Sequence, residues 1–292
     1  MPGRLIALNK LPRVCLVGVG DMWCRLFAKC VLKVTGYDAT HLCRDDQLWS
    51  VLKEGIDGAV NGVQYIWEAN STKENKIFLL GVNNAFNEIN KIRMLWTVHH
   101  LWSSGARFFL NCYCHHYYLV LRIFGGKDNI FHRRRGVMQG DPLSMVAYGI
   151  EILLLIKHLK STYPDVTQPW YADNAGALGM FDHFDNYFKA LNSKGPERGY
   201  FPDPTKNIIV LHPQNLESIE KFRQRHGFKV CMIACYIGGY IGDEKTKGDW
   251  LKEHTEKWEG DICALRKRPI SILRRVMLRC GSIGLDISSM CD

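Results

Sequence analysis

The stretch "QPWYADNAGAL", Gln168 to Leu178, sets an aromatic, a small and an acidic residue in a row between two apolar runs, with an amide, Asn174, in fourth place. Trp170-Tyr171 and Ala175 to Leu178 suit extended arms. The polar pair Asp173-Asn174 suits the turn between them, so the stretch reads as a β-hairpin carrying one carboxylate at its tip.

Downstream, Phe181, Phe184, Tyr187, Phe188 and Leu191 recur at helical spacing, and a Pro-rich loop, "GYFPDPTK" (Gly199 to Lys206), leads into a short strand, "NIIVL". "ACYIGGYIG", Ala234 to Gly242, reads as a further hairpin turning at Gly238-Gly239, and a last helix is predicted from Trp250 to Leu265. Upstream, Pro142 suits the first turn of a helix whose core side carries Leu143, Val146, Ile150, Leu153, Leu154 and Ile156. The aromatic and β-branched run from Phe108 to Arg135 is broken by Gly125-Gly126, which predicts two arms of a hairpin. "KIFLLGV", Lys76 to Val82, predicts a buried strand; a turn near Asn83-Asn84 and a helix through Ile89, Ile92, Leu95, Trp96 and Leu101 follow. Two helices come first, from Leu26 to Val34 with a stop near Gly36, and from about Asp46 to Ala69.

The chain has 292 residues, 47% hydrophobic and 23% charged, a globular composition with no repeat, low-complexity segment or Gly/Ser linker. Its formal charge of +9 favours a polyanionic partner and is equally consistent with a basic protein that has none. Eleven cysteines with no evident leader in the first twenty residues predict free thiols in an intracellular compartment, cytoplasm or nucleus. The longest apolar run, "GIEILLLI" from Gly149, falls short of the roughly 20 residues of a spanning helix, so no membrane segment is predicted. Cys112, Cys114, His115 and His116, and Cys231 with Cys235, lack the spacing of structural zinc sites and read as buried or incidental side chains.

Several segments, in this order, resemble those of the reverse transcriptases of retroelements, non-LTR retrotransposons in particular. "GVMQGDPLS", Gly136 to Ser144, is similar to the family's Gln-Gly-x-Pro-Leu-Ser loop, which lies against template and nucleotide, and a match of that length seldom arises by chance. "GVNNAFNEIN", Gly81 to Asn90, resembles the segment where an Asp ends a strand and an aromatic, here Phe86, walls off the sugar and favours deoxynucleotides. "YADN" resembles Tyr-x-Asp-Asp, keeping Tyr171 and Asp173 with Asn174 in place of the second Asp. Lys206 matches the lysine that assists the leaving pyrophosphate, and "YIGGYIGD", with Gly238 and Gly239, the hairpin that grips the primer. "VCLVGVGDMWCRLFAK" is similar to the fingers segment ending in a phosphate-contacting lysine, here Lys29, with Cys15 and Leu16 where Arg and Pro are usual.

The resemblance implies an α+β right-hand polymerase: partial fingers over 1–75, a palm over 76–245 with an insertion at about 105–135, and the start of a thumb or an unmatched tail over 246–292. It implies a monomer acting on an RNA or DNA template-primer and deoxynucleotides, with Mg2+ or Mn2+ as cofactor and Gln139, Gly140, Tyr171, Phe86 and Lys29 around the nucleotide. In the family three aspartates hold two metal ions roughly 3.5–4 Å apart. Here those positions read Gly81, Asp173 and Asn174, leaving Asp173 as the single metal-binding carboxylate and predicting impaired synthesis. Glu88, seven residues beyond Gly81, and Asp141 cannot take the bridging place without moving backbone. Arg133, Arg134 and Arg135 suit phosphate contacts or a solvated face, which keeps open a non-catalytic nucleic-acid-binding remnant. Asp to Asn, Asp to Gly and Arg to Cys can each arise by one transition in a codon, which fits a retroelement copy changing without selection.

Overall fold

The structure, a computed structural model, describes residues 2–10, 13–48, 55–69, 76–82, 85–115, 117–121, 129–133, 135–138, 140–211 and 220–266. It divides into two compact units, Met1–Gly242 and Asp243–Asp292.

The first unit opens with strands β1 (Pro2–Lys10) and β2 (Arg13–Val19), which pair antiparallel. Helix α1 (Met22–Cys43) follows, capped by the Asp21 carboxylate accepting from the Trp23 N–H. It runs straight through Gly36, where a stop was predicted, because its buried residues Ala28, Ala39 and Cys43 continue the inner face beyond that glycine. Helix α2 (Gly55–Ala69) starts later than the predicted Asp46, since turns occupy Arg44 to Asp46 and 49–54 lie outside the described residues.

Strand β3 (Lys76–Leu80) stands where expected, but the helix after it is split into α3 (Ala85–Glu88) and α4 (Lys91–Leu101). Asn90 restarts the helix by accepting from the Arg93 N–H, and this break re-phases the faces. Met94 and Val98 are thereby buried, and Ile92 and Trp96 are exposed. The predicted first arm of the 108–135 hairpin begins as helix instead: α5 (Ser103–Tyr113) buries Ala106, Phe109 and Tyr113 at spacings of three and four. Only β4 (Tyr117–Leu121) and β5 (Asn129–Arg133) form the hairpin, and its Gly-Gly turn lies outside the described residues. Together these strands make a sheet in the order β2-β1-β4-β5.

Helix α6 (Ser144–Thr162) begins two residues after Pro142, which sits in the preceding turn rather than in the first helical turn. It buries Leu143's neighbours all round, from Val146 to Leu159, with Leu154 half-buried, because α1, α4 and α7 (Phe181–Arg198) all pack against it. Between α6 and α7 come β6 (Trp170–Tyr171) and β7 (Asn174–Gly179), then β8 (Ile208–Val210), α8 (Glu220–His226) and β9 (Lys229–Cys231). They build a five-stranded sheet, β6-β7-β3-β8-β9, antiparallel except for β8 with β9. The hairpin β10 (Ile233–Tyr236) and β11 (Gly239–Gly242) lies against α2. The second unit carries α9 (Glu244–Arg266), starting earlier than the predicted Trp250, with Trp250 and His254 stacked at 3.9 Å. Among the described residues no helix is long and apolar enough to cross a membrane.

Two glycines separate conformational from packing demands. Gly36 faces no atom within 4 Å of a would-be Cβ, whereas one on Gly105 would collide with the buried Trp102 ring, whose Nε1–H donates to Thr35 O. Gly36→Ala should therefore raise stability by about 0.5–1 kcal/mol, and Gly105→Ala should lower it by about 1–3 kcal/mol, both read from urea unfolding midpoints.

Glu151, fully buried in α6, accepts from Arg198 Nη1 at 2.9 Å. Burial nevertheless pushes its carboxyl pKa up to about 7, against the pull of Arg198. A raised carboxyl pKa means the folded chain holds a proton that the unfolded chain releases at lower pH. That contribution is complete below the unfolded value near 4.5 and fades as pH rises to about 7. Unfolding midpoints should fall across this window by an amount that Glu151→Gln, which keeps an acceptor for Arg198, largely removes.

Candidate functional site

The site grows from the register of three strands. Leu80 on β3 stands opposite Ala175 on β7, so one step further Gly81 comes level with Asn174. On β7's other side Trp170 and Tyr171 pair with Ala175 and Asn174, which leaves Ala172-Asp173 as a two-residue turn, one position earlier than the predicted Asp173-Asn174. Ala172 adopts φ 51, the positive value such tight hairpins demand at the first central position. Its N–H is held by the side-chain oxygen of the buried Gln47 at 2.9 Å. Asp173 is thus presented at the hairpin tip, half-buried, with Asn174 Nδ2 donating to its Oδ1 at 3.4 Å.

Gly81 is enclosed by the loop that carries Lys206. Its N–H donates to Asn207 Oδ1 at 3.0 Å and its carbonyl accepts from the Asp203 N–H at 2.9 Å. A Cβ on Gly81 would lie 2.6 Å from Lys206 Cβ and 3.3 Å from its Cδ, so the lysine stem covers the place where a side chain would begin. Lys206 Nζ donates to Val82 O at 2.7 Å and stands 3.6 Å from Asp203 Oδ2. Asp203 in turn accepts from the N–H and hydroxyl of Thr205, a turn that closes the loop. Gly81, Asn174 and Lys206 line a cavity of about 170 Å3 with Cys235, Tyr236 and Ile237 of the β10–β11 hairpin.

That hairpin turns at Ile237-Gly238, with φ 52 and 87, rather than at the predicted Gly238-Gly239. Gly239 is needed elsewhere: it opens β11 where a Cβ would strike Val60 of α2. Isoleucine in the left-handed region is strained, a conformation held here by the strand pairing on both sides.

Phe86 lies partly buried in α3 with its ring 4.8 Å from that of Tyr148. Burial raises the Tyr148 phenol well above its ordinary value, and the nearby negative charge of Asp173 adds to the shift. Phe86 thus packs on a core aromatic whose phenol senses the Asp173 charge. Tyr171, half-buried, has its phenol raised by burial as well.

The Gly136 to Ser144 loop is strapped onto the same region. Gly136 N–H donates to Ile89 O and Val137 N–H to Phe86 O, and at φ 73 Gly136 passes too close to the carbonyls of Phe86 and Asn87 for any Cβ. Asp141 accepts from the Leu143 N–H at 3.0 Å and from the Tyr113 hydroxyl at 2.6 Å, while Ser144 Oγ donates to Met138 O. Gly140, at φ 91, is exposed, and Gln139 lies outside the described residues.

The remaining candidates are dispersed. Lys29 is exposed on α1. Arg133 pairs through its backbone with Tyr117 in the β4–β5 hairpin, Arg134 lies outside the described residues, and Arg135 is exposed, 3.9 Å from Glu88. Gln47, Asn207 and Tyr113, which hold the turn, Gly81 and the 136–144 loop, went unread in the sequence. Asp203 had a signal, the Asp-Pro-Thr turn chemistry.

An aromatic-flanked carboxylate hairpin paired to a neighbouring strand, with a glycine-bearing loop before a central helix, belongs to a reverse-transcriptase-like fold. Solved structures similar to it include telomerases. The chain superposes on telomerase from Candida albicans in complex with the TWJ fragment of telomeric RNA with a TM-score of 0.55 at 11% identity, covering 73% of this chain and 43% of that one. Apo telomerase from Candida tropicalis, truncated of its C-terminal domain, gives 0.55 at 13% identity over 72% of this chain and 50% of that. The Candida tropicalis complex with the TWJ fragment gives 0.56 at 12% over 72% and 41%. The chain therefore spans half or less of the length of these structures, and at such identity the likeness concerns the fold alone. No family model matches the sequence, and no curated protein does.

The buried Gln47 amide anchors the hairpin tip from outside the sheet. Gln47→Met should leave the Ala172 N–H without its acceptor and cost about 1–3 kcal/mol, with faster exchange of that amide proton measured by hydrogen exchange.

Proposed function

We propose that this chain is a reverse transcriptase-type domain of non-LTR retroelement origin, with partial fingers, palm and the start of a thumb, whose family chemistry of template-directed DNA synthesis is impaired. The observation that carries the reading is the Lys206 stem lying across Gly81, beside a hairpin tip whose carboxylate, Asp173, is joined by an amide. Phosphoryl transfer of this class relies on placing charge rather than on covalent chemistry from the protein, and the family's two Mg2+ or Mn2+ ions supply that charge.

The residues present do not fit such a metal pair. Asn174 turns its NH2 toward Asp173, so the amide acts as a donor to the carboxylate. Glu88 is paired with Arg135, and Asp141 is occupied by Tyr113 and the Leu143 N–H. Among the described residues no group of three His, Cys, Asp or Glu side chains is placed to hold an ion. What remains is the binding scaffold: the Phe86–Tyr148 wall, the Gly136–Ser144 loop and the β10–β11 hairpin. A net charge of +9, with Arg135 exposed, favours a second use of that scaffold, as a nucleic-acid-binding remnant that holds a template-primer duplex through phosphate contacts. The telomerases solved with RNA are consistent with a nucleic-acid partner.

Primer extension with Mg2+ or Mn2+ tests the reading. The unaltered chain should extend nothing while binding duplex with an affinity that falls steeply with salt; clear extension would overturn it. Removing one well-placed electrostatic element costs about 10²–10³ in rate, so restoration needs both carboxylates. Gly81→Asp with Asn174→Asp should by itself be overpacked against Lys206, destabilised by about 1–3 kcal/mol. Extension should return only when Lys206→Gly, which removes the Cβ as well as the stem, is added to make room, and only in part, because the lysine that the resemblance assigns to the leaving pyrophosphate goes with it.

A further inference from the structure

The longest helix of the first unit leaves its outer side open. Trp23, Phe27, Cys30, Val34, Tyr37 and His41 follow one another at intervals of four, three, four, three and four along α1, and all are exposed. This is an a/d heptad seam over nearly the whole helix, with Phe27, Val34 and His41 in one set and Trp23, Cys30 and Tyr37 in the other. It points directly away from Ala28, Ala39 and Cys43, the buried face. Trp23 and Phe27 lie with ring centroids 6.5 Å apart, and Tyr37 stacks on His41 at 6.2 Å.

The exposed area decides that this is more than scattered surface apolar residues. Trp23, Leu26, Phe27, Val34 and Tyr37 are each between 49% and 81% exposed. At roughly 200 Å2 for a large side chain, they present about 650 Å2 together. Monomers rarely show contiguous apolar patches above a few hundred Å2, and about 650 Å2 approaches one partner's share of a standard interface, about 800 Å2.

We propose that α1 pairs with α1 of a second copy of this chain, as a parallel, in-register two-helix seam, in place of the monomer expected from sequence. The flanking positions select this occupant. Lys33 on one side of the seam stands five residues before Asp38 on the other, the offset at which such side chains meet across a parallel pair, and Leu26 stands in the same relation to Val31. Each pair then joins opposite charges or two apolar chains, twice by symmetry. Asp38 Oδ2 accepts from Ser104 Oγ, which fixes the carboxylate at the seam's margin and leaves its other oxygen for Lys33 of the second copy. Because the seam and the buried face are on opposite sides of α1, the two bodies fall on opposite sides of the pair. Cys30, small and central, meets its own counterpart.

The full chain should sediment as a dimer, and a short bismaleimide should join two copies through Cys30, mapped by peptide analysis, with Cys30→Ser abolishing that product. Phe27→Glu or Val34→Glu buries a charge at the seam and should weaken the dimer by about 100-fold, with an unchanged circular dichroism spectrum because both side chains are exposed. A chain that stays monomeric, or that cross-links only through other cysteines, overturns the proposal. So does a monomer whose Phe27→Glu variant loses binding to a single-stranded oligonucleotide or to anionic lipid vesicles, since the face then serves those partners.

Discussion

The antiparallel pairing of β3 with β7 is the constraint on which the site depends. A sheet register is indivisible: a slip of one residue sends every side chain to the opposite face. Holding Leu80 opposite Ala175 therefore brings Gly81, Asn174 and the Asp173 turn to one end of the sheet together. The same pairing sets Ile77 and Phe78 against β8, whose approach draws the Asp203 to Lys206 loop over Gly81. From that one alignment follow the enclosure of Gly81, the path of the lysine stem and the small cavity beneath the β10–β11 hairpin. The buried Gln47 and Asn207 then lock the two ends of the alignment by hydrogen bonds to main-chain groups.

How far the sequence disclosed this arrangement depended on the kind of signal each segment carries. Strand β3, the β6–β7 and β10–β11 hairpins and helix α6 were legible because apolar runs bounded by turn residues specify them locally. Turn positions were misplaced by one residue in both hairpins, and for the same reason in each. Ala172 and Ile237 occupy positive φ although neither is a residue that favours it, because tertiary pairing overrides local preference. The glycine expected to make the second turn, Gly239, answers instead to the close approach of Val60, a contact with a residue far away in the chain. Helix α5 was hidden for a related reason: its aromatic residues suit strands by composition, and only their spacing of three and four against the core makes them helical. Gln47 and Asn207 were invisible, since a single buried amide whose partner is a distant main-chain group leaves no periodic trace.

On the proposed reading, the loop that resembles the family's and the positions that left the family's pattern differ in what they do for the fold. Gly136 has no alternative, with two carbonyls at its α-carbon, and Asp141 and Ser144 satisfy buried groups of Tyr113 and Met138. Changing any of them strands a polar atom or forces backbone apart, a cost to stability whether or not the chain ever meets a substrate. Carboxylates grouped to hold metal ions are the opposite case. Without the ions they repel one another, and each one removed lessens that repulsion. Replacing two of three would leave the sheet intact, and Lys206 could settle across the vacated position, bonded to Val82 and beside Asp203. The fold and its loop motif then persist on the strength of packing and hydrogen bonds, while the chemistry, which stabilised nothing, is the first part to go.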